Sequence, residues 1–454
     1  MAQREHWGSK IGFILAAAGS AVGLGNIWKF PYETGSQGGA AFVLIYIACI
    51  LVLGLPIMFA ELVVGRHTEK DPVGAFKEMV GDSKWRFVGF LGVASGFIIL
   101  SFYSVVGGWT ISYIIKAFSG DLATLTSKAA TKKTFGALIS HPGKSILYHF
   151  IFMATCVLIV SRGINKGIER WSKILMPLIF VLLIILIIKG MSMEGSSAGI
   201  KFLFYPDFSK ITYKTVLSAL GHSFFTLSLG MGAMITYGSY LSRNDSILAS
   251  GTYIVILDTI IALLAGMAIF PALFAMGFQA TESGPGLIFN IIPLIFAKMS
   301  YGTVFAVLFF VLLFVAALTS GMSLLEVVIT YIIDEKGWKR SHAVVVFGLI
   351  IFIIGIPSAL SFGILGNVKI IGLSFFDIIE KTASNYMLPL GGLLISICLG
   401  WKYGLEKLVH ELDVDTRITF VKKAWGVTLK YVSPVVMLIF FGNYLFVTII
   451  KLFK

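Results

Sequence analysis

The stretch that decides the fold is Ala16–Pro31, which reads AAAGSAVGLGNIWKFP. It lies inside a segment apolar enough to enter a bilayer, yet Gly19, Gly23 and Gly25 interrupt it together with Asn26. A spanning helix normally satisfies its own backbone groups, and each unsatisfied group in lipid costs several kcal/mol. A helix that breaks here therefore predicts carbonyl and amide groups that line a buried site, where they suit a hard cation and a carboxylate. The alternative is a kinked helix whose glycines only permit close packing.

The composition indicates a membrane protein with many spans. The chain has 454 residues, of which 57% are hydrophobic and 13% are charged, and its mean hydropathy is +0.91. A soluble domain carries about a quarter charged residues. Apolar runs of about 20 residues recur along the chain, and each can cross a hydrocarbon core of roughly 30 Å. The net charge of +13 does not predict nucleic-acid binding, because the basic residues fall mainly in short loops, as in membrane proteins.

Eleven helical spans are predicted, at residues 11–31, 40–64, 87–116, 145–161, 172–189, 214–241, 247–275, 300–333, 341–357, 374–400 and 431–451. They divide the chain into a cytoplasmic N-terminus (1–10), a first half of five spans (11–189), an extracellular loop (190–213), a second half of five spans (214–400), a cytoplasmic loop (401–430) and a last span with the C-terminus (431–454). The lysines and arginines predict a cytoplasmic N-terminus and, with an odd number of spans, an extracellular C-terminus. The first apolar run lacks a cleavage site and is expected to be retained.

A second interruption lies at the centre of span 6, where Phe224–Gly232 reads FFTLSLGMG. Spans 1 and 6 are corresponding members of the two halves. Such a pair of interrupted spans is typical of inverted repeats whose broken helices meet near the middle of the membrane. Two breaks in register favour a binding site over two unrelated kinks.

Polar side chains inside other spans add oxygen donors. Asp258 stands in the apolar run Ile254–Ile260 without a basic neighbour, and an intramembrane carboxylate indicates function. The alternative is a protonated aspartate that bonds to a helix. Thr319 and Ser320 follow one another in span 8. They can bind an ion, or they can bond back to a carbonyl one turn earlier in their own helix.

The two interrupted stretches together resemble the neurotransmitter:sodium symporter family, and most closely its bacterial branch that carries hydrophobic amino acids. The likeness runs from Arg4 to about Leu393. It implies an all-α polytopic membrane protein of the leucine-transporter type, with a 5+5 inverted repeat, broken helices 1 and 6, and an eleventh span. It also implies sodium-coupled symport by alternating access and no enzymatic activity; the residues show no catalytic triad or metalloprotease motif.

The resemblance implies two sodium sites. The first would use the carbonyl of Ala21 and the side chains of Asn26, Thr226 and Asp258, completed by the substrate carboxylate. The second would use the carbonyls of Gly19, Val22 and Ala316 and the hydroxyls of Thr319 and Ser320. These hard oxygen donors suit alkali cations. Because Ala262 stands one turn after Asp258, where some members carry a carboxylate, Asp258 is expected to supply the negative charge itself, so that no chloride is needed.

The resemblance also implies a substrate pocket, formed by Ala21, Leu24, Gly25, Ile99, Tyr103, Val106, Phe225, Thr226, Ser228, Met231, Ser320 and Leu324. The substrate carboxylate would meet the amides of Leu24 and Gly25 and the Tyr103 hydroxyl, and its ammonium would meet carbonyls near Phe225. The apolar walls, with the adaptable Met231, predict an aliphatic or aromatic L-amino acid. A smaller or non-proteinogenic amino acid, or an amino-acid-sensing receptor on the same fold, is the alternative.

Gates and supports follow from the same resemblance. An outer gate would pair Lys29 with Glu380, and an inner gate would pair Arg4 with Asp334 beside Trp7 and Tyr240. Glu61 would brace the unwound backbone of span 1, unless it reaches the interface, and His222 is either a titrating group near the outer gate or a satisfied core histidine. Gly167 and Pro177 would bracket a part of span 5 that unwinds to open an inner path. Arg4 has a second interpretation as an ordinary cytoplasmic basic residue.

The expected surroundings are the plasma membrane of a bacterium, with a small amino acid and the lipid bilayer as partners and no nucleic acid. The preferred amino acid, the sodium stoichiometry and the oligomeric state stay open.

Overall fold

The computed structural model describes residues 5–81, 83–278, 284–412 and 419–452, so that Arg4 lies outside the described residues. Within these ranges the backbone is helical apart from turns and one isolated bridge between Ile370 and Leu373. Nine of the described helices are long and apolar enough to cross a membrane, and a tenth is added if the bent pair Lys10–Ala21 and Gly25–Ser36 is one span. The predicted all-helical membrane fold is confirmed, whereas the count of eleven stays a prediction because span 6 consists of two short pieces.

The bounds of the spans are as follows. Span 1 is Lys10–Ala21 with Gly25–Ser36, span 2 is Ala40–Thr68, span 3 is Arg86–Phe118, span 4 is Pro142–Val160, span 5 is Ile164–Met191, span 6 is Tyr213–Thr226 with Ala233–Gly238, span 7 is Ile247–Ala275, span 8 is Gly302–Lys336, span 9 is Arg340–Leu360, span 10 is Phe375–Leu412 and span 11 is Lys422–Phe446.

Several segments predicted as loops contain helices. The helices between spans are Pro72–Val80, Lys128–Ser140, Ser197–Phe204 and Leu287–Lys298. Span 10, predicted to end at residue 400, continues to Leu412 and occupies part of the expected loop 401–430. The apolar pattern marks only the part of a helix that lies in lipid, and this helix continues beyond it with a charged, amphipathic end (Leu405–Leu412, LEKLVHEL).

At the first break, the axes of the two helices of span 1 meet at an angle of 47°. The helix that begins after the Ser9 cap ends at Val22, whose ψ of 103° is extended rather than helical. A π-helical turn, Gly25–Lys29, then restarts the span. Gly23 is required at this place because a Cβ atom would overlap with Ser320 Oγ and lie 2.7 Å from Tyr103 Oη. The glycine therefore lets the broken backbone approach spans 3 and 8.

The second break lies between Thr226 and Ala233 and depends on left-handed backbone. Gly230 has a φ of 76° and Gly232 a φ of 75°, a region that glycine enters without strain. Ser228 also has a positive φ, 55°, which is uncommon for a residue with a side chain. Its hydroxyl donates a hydrogen bond of 2.9 Å to the carbonyl of Ser20. The two breaks are thus joined directly.

Candidate substrate and ion site

The carboxylate of Asp258 is the centre of a first cluster of oxygen and amide groups. Asn26 Nδ2 donates to Asp258 Oδ1 at 2.7 Å, and Thr226 Oγ1 donates to the same oxygen at 3.0 Å. Tyr46 Oη donates to Asp258 Oδ2 at 3.4 Å. All four side chains are buried. Three residues predicted for the first sodium site therefore meet at one point, although they come from three different spans.

A second cluster lies where span 8 meets the first break. Thr319 Oγ1 donates to the carbonyls of Val22 at 3.2 Å and Ala316 at 2.9 Å. Ser320 Oγ lies 3.5 Å from the Gly19 carbonyl oxygen and 3.4 Å from that of Val22. All five residues predicted for the second sodium site are thus in contact. Thr319 also makes the bond to a carbonyl of its own helix, that of Ala316, which was the alternative interpretation of this threonine. Both interpretations of Thr319 are therefore compatible with the structure.

Both donor sets fit an alkali cation. They consist of backbone carbonyls, hydroxyls, one amide and one carboxylate, which are the hard oxygen ligands of such ions. In the described part of the chain no group of histidines, cysteines and carboxylates has the arrangement of a transition-metal site. The first cluster contains the charge of Asp258, and the second contains neutral oxygens only.

A small cavity lies between the two breaks. Its walls are formed by Ser20, Ala21, Gly23, Gly25, Ile99, Tyr103, Phe225, Ser228, Met231, Ser320 and Leu324. The apolar side chains form one part of the wall, and the broken backbone with four hydroxyls forms another. No charged side chain lines this cavity among the described residues.

Nine of the twelve residues predicted for the pocket line the cavity, whereas Leu24, Val106 and Thr226 do not. Thr226 bonds instead to Asp258, and the Leu24 amide donates to Tyr103 Oη at 3.1 Å. Val106 is buried in the core of span 3. Ser20 and Gly23 line the cavity without having been predicted. The signal that could have identified them was their position, since Gly23 lies inside the first break and Ser20 in the last helical turn before it.

Comparisons with known proteins agree with this geometry. The model of the sodium:neurotransmitter symporter family matches residues 4–138 and 133–452. The chain belongs to this family. The match extends well past Leu393, where the recognisable motifs end, and includes span 11. The protein is therefore a sodium-dependent membrane transporter and not an enzyme.

Individual relatives are similar over almost the whole chain. An uncharacterized sodium-dependent transporter of Bacillus subtilis, YhdH, is 42% identical over 441 residues, which are 96% of this chain and 97% of the relative. One from Haemophilus influenzae is 37% identical over 454 residues, with 98% and 99% covered. The crystal structure of MhsT in complex with L-phenylalanine superposes with a TM-score of 0.90 at 43% identity, covering 97% of this chain and 99% of that one. The leucine-transporter-type fold is thereby confirmed.

One end of the symporter's cavity carries the pair of charges predicted for the outer gate. Lys29 Nζ lies 3.4 Å from Glu380 Oε1 and 4.6 Å from the centre of the Phe225 ring. Ser384 Oγ donates to the same Glu380 oxygen at 3.2 Å. Because Phe225 also lines the cavity, the ion pair rests on the aromatic side chain that covers the site.

The N-terminal segment of the symporter is held against the end of span 6 and the turn that follows it. Trp7 Nε1 donates to the Tyr237 carbonyl at 3.0 Å, and the Trp7 amide donates to the Tyr240 carbonyl at 3.2 Å. Asp334 accepts a bond of 2.9 Å from the Asp71 amide. Since Arg4 lies outside the described residues, its pairing with Asp334 stays a prediction.

A buried ion pair beside Tyr240 was not predicted from the sequence. Glu326 of span 8 is fully buried and pairs with Arg340, and Tyr240 Oη donates to Glu326 Oε1 at 2.8 Å. Arg340 also donates to the Val160 carbonyl at 3.0 Å. An intramembrane glutamate next to Leu325 was the available signal, by the same reasoning that identified Asp258.

Glu61 braces a different backbone from the one predicted. Its Oε1 accepts a bond of 2.7 Å from the amide of Gly230, in the second break, while Oε2 has no hydrogen-bond partner. The prediction that Glu61 braces span 1 is therefore wrong. The reason is that the second half of span 2, Leu55–Thr68, packs against Ala233–Gly238. The alternative, in which Glu61 reaches the interface, is also wrong because its side chain is fully buried.

Span 5 is continuous in this structure. Gly167 lies in a π-helical stretch, Ile164–Glu169, and Pro177 lies inside the α-helix Arg170–Met191. The local unwinding between them stays a prediction about another conformation. Glu169 connects the beginning of span 5 with the N-terminal segment. It accepts hydrogen bonds from the Gly8 amide at 2.7 Å and from Ser9 Oγ at 3.0 Å.

His222 is neither bonded nor exposed. It lies between the rings of Phe30, Phe42 and Tyr46, with the Tyr46 ring centre 5.1 Å away. Neither ring nitrogen has a hydrogen-bond partner. His222 is therefore a buried core histidine, but the prediction that its hydrogen bonds are satisfied is wrong.

Proposed function

We propose that this protein imports hydrophobic L-amino acids together with sodium by alternating access. The observation that supports this best is that the cavity lies next to both oxygen clusters. In its wall, Gly25 and Phe225 directly precede Asn26 and Thr226 of the first cluster. Ser320 lines the cavity and contacts the Val22 carbonyl of the second cluster. Ala21 also lines the cavity, and its carbonyl is proposed for the first sodium. A ligand and a cation that occupy adjoining parts of one site stabilise one another, and their binding is therefore coupled.

The chemistry of the cavity wall supports the substrate class. Ile99, Met231 and Leu324 offer an apolar wall, and burying a charged side chain against them is costly. The carboxylate and ammonium of an amino acid would instead meet the polar backbone of the breaks. The similar protein MhsT has been crystallised with L-phenylalanine.

Sodium is the proposed driving ion and is itself cargo. The first site would consist of Ala21, Asn26, Thr226 and Asp258, and the second of Gly19, Val22, Ala316, Thr319 and Ser320. Each charge that crosses a potential of 100 mV supplies about 2.3 kcal/mol. Two sodium ions per cycle would thus supply roughly 5 kcal/mol before their concentration gradient is counted.

Transport is proposed to be independent of chloride. Asp258 places a carboxylate in the first cluster, with donors from Asn26, Thr226 and Tyr46 around it. A fixed negative charge beside the first sodium would do what a bound chloride does in members without such a charge. Replacing chloride with gluconate should leave the rate of uptake unchanged, and a loss of uptake in gluconate would contradict this assignment.

The proposed orientation follows the basic loops. The N-terminus would be cytoplasmic and the C-terminus extracellular, in the plasma membrane of a bacterium. Lys29 and Glu380 would then close the outside, and the contacts of Trp7 and Tyr240, with the proposed pair Arg4 and Asp334, would close the inside.

The test is uptake of labelled phenylalanine and leucine into proteoliposomes. With sodium outside, we expect accumulation above equilibrium, which choline or potassium should not support. Unlabelled amino acids then rank the substrates by competition. Sodium-dependent binding without accumulation would contradict transport and favour an amino-acid sensor.

A further inference from the structure

A groove with a basic lining lies where the N-terminal segment passes the beginning of span 5. It is lined by Gly8, Asn165, Lys166, Glu169, Arg170, Lys173 and Ile174. The substrate and ion site does not use it. The groove opens to the outer surface of the helix bundle, because Lys166, Arg170, Lys173 and Ile174 are exposed.

The charge of this groove is positive and largely uncompensated. Its single carboxylate, Glu169, has a side chain that is only 3% exposed and is occupied by Gly8, Ser9 and Lys173, whose Nζ lies 2.6 Å away. Lys166 and Arg170 form no ion pair within the part of the chain that the structure describes. An anion that enters the groove would therefore meet exposed positive charges, and the lining residues include no exposed carboxylate. The exposed carboxylate of Glu5 lies beside the groove, where it accepts a hydrogen bond from the Ile164 amide.

The basic residues continue directly into an apolar face of the same helix. Ile174, Val181, Ile184, Ile185 and Ile188 are exposed, between 38% and 65%. Their spacing of three, four and seven residues from one another places them on one side of the helix, and Arg170 and Lys173 lie on that side at its end. One stripe of span 5 thus changes from positive charge to bare hydrocarbon within a single turn.

We propose that this stripe binds an anionic phospholipid. The headgroup phosphate would lie against Lys166, Arg170 and Lys173, and an acyl chain would follow the isoleucines toward the middle of the membrane. Basic residues at the edge of a bilayer attract anionic headgroups by about 1 kcal/mol each. A free phosphate ion would match the charges but leave the apolar part of the stripe unused. With the proposed orientation, the lipid belongs to the cytoplasmic leaflet.

The position of this site connects it to the N-terminal segment. Glu169 holds Gly8 and Ser9 and is itself neutralised by Lys173. A phosphate that draws on the charge of Lys173 would weaken its pairing with Glu169. The lipid would therefore contact Lys173, which pairs with the residue on which the N-terminal segment is anchored, Glu169.

The test is photo-crosslinking of the full-length protein, reconstituted in phosphatidylcholine, by a phosphatidylglycerol with a photoreactive acyl chain. In the wild type, we expect label on the peptide that contains Ile174 to Ile188, displaced by unlabelled phosphatidylglycerol. The double variant Lys166→Gln/Arg170→Gln should need roughly 30-fold more lipid for the same label, which is about 2 kcal/mol at 1.4 kcal/mol per factor of ten. The conservative variant Lys166→Arg/Arg170→Lys should label as the wild type does.

A matched control is Lys132→Gln/Lys133→Gln, which removes the same charge from an exposed helix, Lys128–Ser140, and should leave the labelling unchanged. Equal displacement by phosphatidylcholine, or equal loss of label in the control, would overturn the headgroup site. Displacement by inorganic phosphate as effective as by the lipid would overturn the role of the apolar stripe. The experiment measures labelling by the lipid and not uptake of an amino acid, so its result does not depend on the proposed substrate.

Discussion

Asp258 shows what a single residue contributes to this transporter. Its carboxylate accepts hydrogen bonds from Asn26, Thr226 and Tyr46, which belong to spans 1, 6 and 2. A buried charge is costly unless it is bonded or paired. Three donors from three spans therefore hold the carboxylate. A cation is its natural counter-charge, because Asp258 forms no ion pair with any residue that the structure describes.

Replacing Asp258 with Asn should lower the apparent affinity for sodium at least tenfold, which is about 1.4 kcal/mol or more. The change keeps the shape but removes the charge, and it turns an acceptor into an amide whose NH2 group faces Asn26 Nδ2. The measurement is the sodium dependence of phenylalanine uptake. The control is Asp121→Asn, which removes a charge from an exposed loop helix. An unchanged sodium dependence in Asp258→Asn would contradict the proposed first sodium site.

Glu61→Ala should destabilise the protein by about 1–3 kcal/mol, because the buried amide of Gly230 loses its acceptor. Glu61→Gln keeps an oxygen at this position and should be closer to the wild type. Thermal unfolding in detergent compares the three proteins. Equal melting temperatures of Glu61→Ala and Glu61→Gln would show that Glu61 does not stabilise the protein through its hydrogen bond to Gly230.

At the scale of elements, the two breaks form one unit. Ser228 donates to the Ser20 carbonyl across them, and Ser320 and Tyr103 from spans 8 and 3 close around Gly23. The freed backbone groups do not face lipid, since the residues of both breaks are buried. This satisfies the requirement that irregular backbone in a membrane lines a protein interior or a cavity.

Gly23→Ala should therefore weaken phenylalanine binding more than tenfold. The added methyl group would overlap with Ser320 Oγ, so that spans 1 and 8 are forced apart at the cavity. Gly136→Ala is the matched control, because nothing lies within 4 Å of a Cβ atom there and alanine is the better helix former. Equilibrium binding of labelled phenylalanine measures both. Wild-type affinity in Gly23→Ala would show that the close approach at this glycine is dispensable.

The short helix Pro72–Val80, outside the membrane-spanning segments, predicts a dependence of stability on pH. Asp71 caps this helix by accepting from Val73 N at 2.8 Å, and burial together with the charge of Asp334 raises its pKa from 3.8 to about 7. A raised pKa means that the folded protein binds this proton more tightly than the unfolded chain does. The contribution to stability is full below pH 4 and is lost as the pH rises through about 7.

The melting temperature of the wild type should accordingly fall between pH 5 and pH 8. The fall should be smaller in the variant Asp71→Asn. Asparagine is neutral throughout and still caps the helix. Thermal unfolding of both proteins over this range is the measurement. Identical pH profiles would show that the proton is not held by Asp71.

At the scale of the whole molecule, the sequence predicted the fold more fully than the fine contacts. Interruptions at Gly23 and Gly230 were visible because glycine and polar residues contrast with an apolar background. The contact of Glu61 with Gly230, the pair of Glu326 with Arg340, and the end of span 10 at Leu412 were not predicted. They depend on which faces of the spans meet, and a helix that is apolar on all sides has no polar face to indicate which side packs against which neighbour.

The central claim is that substrate and sodium share one site between the two breaks. Equilibrium binding of labelled L-phenylalanine to the purified full-length protein tests it most directly, with sodium titrated against potassium at constant ionic strength. The account predicts that phenylalanine binds at least tenfold more tightly in sodium, and that the dependence on sodium is steeper than for a single ion, because both oxygen clusters adjoin the cavity. Equal binding of phenylalanine in sodium and in potassium, by protein shown to be folded, would contradict the account.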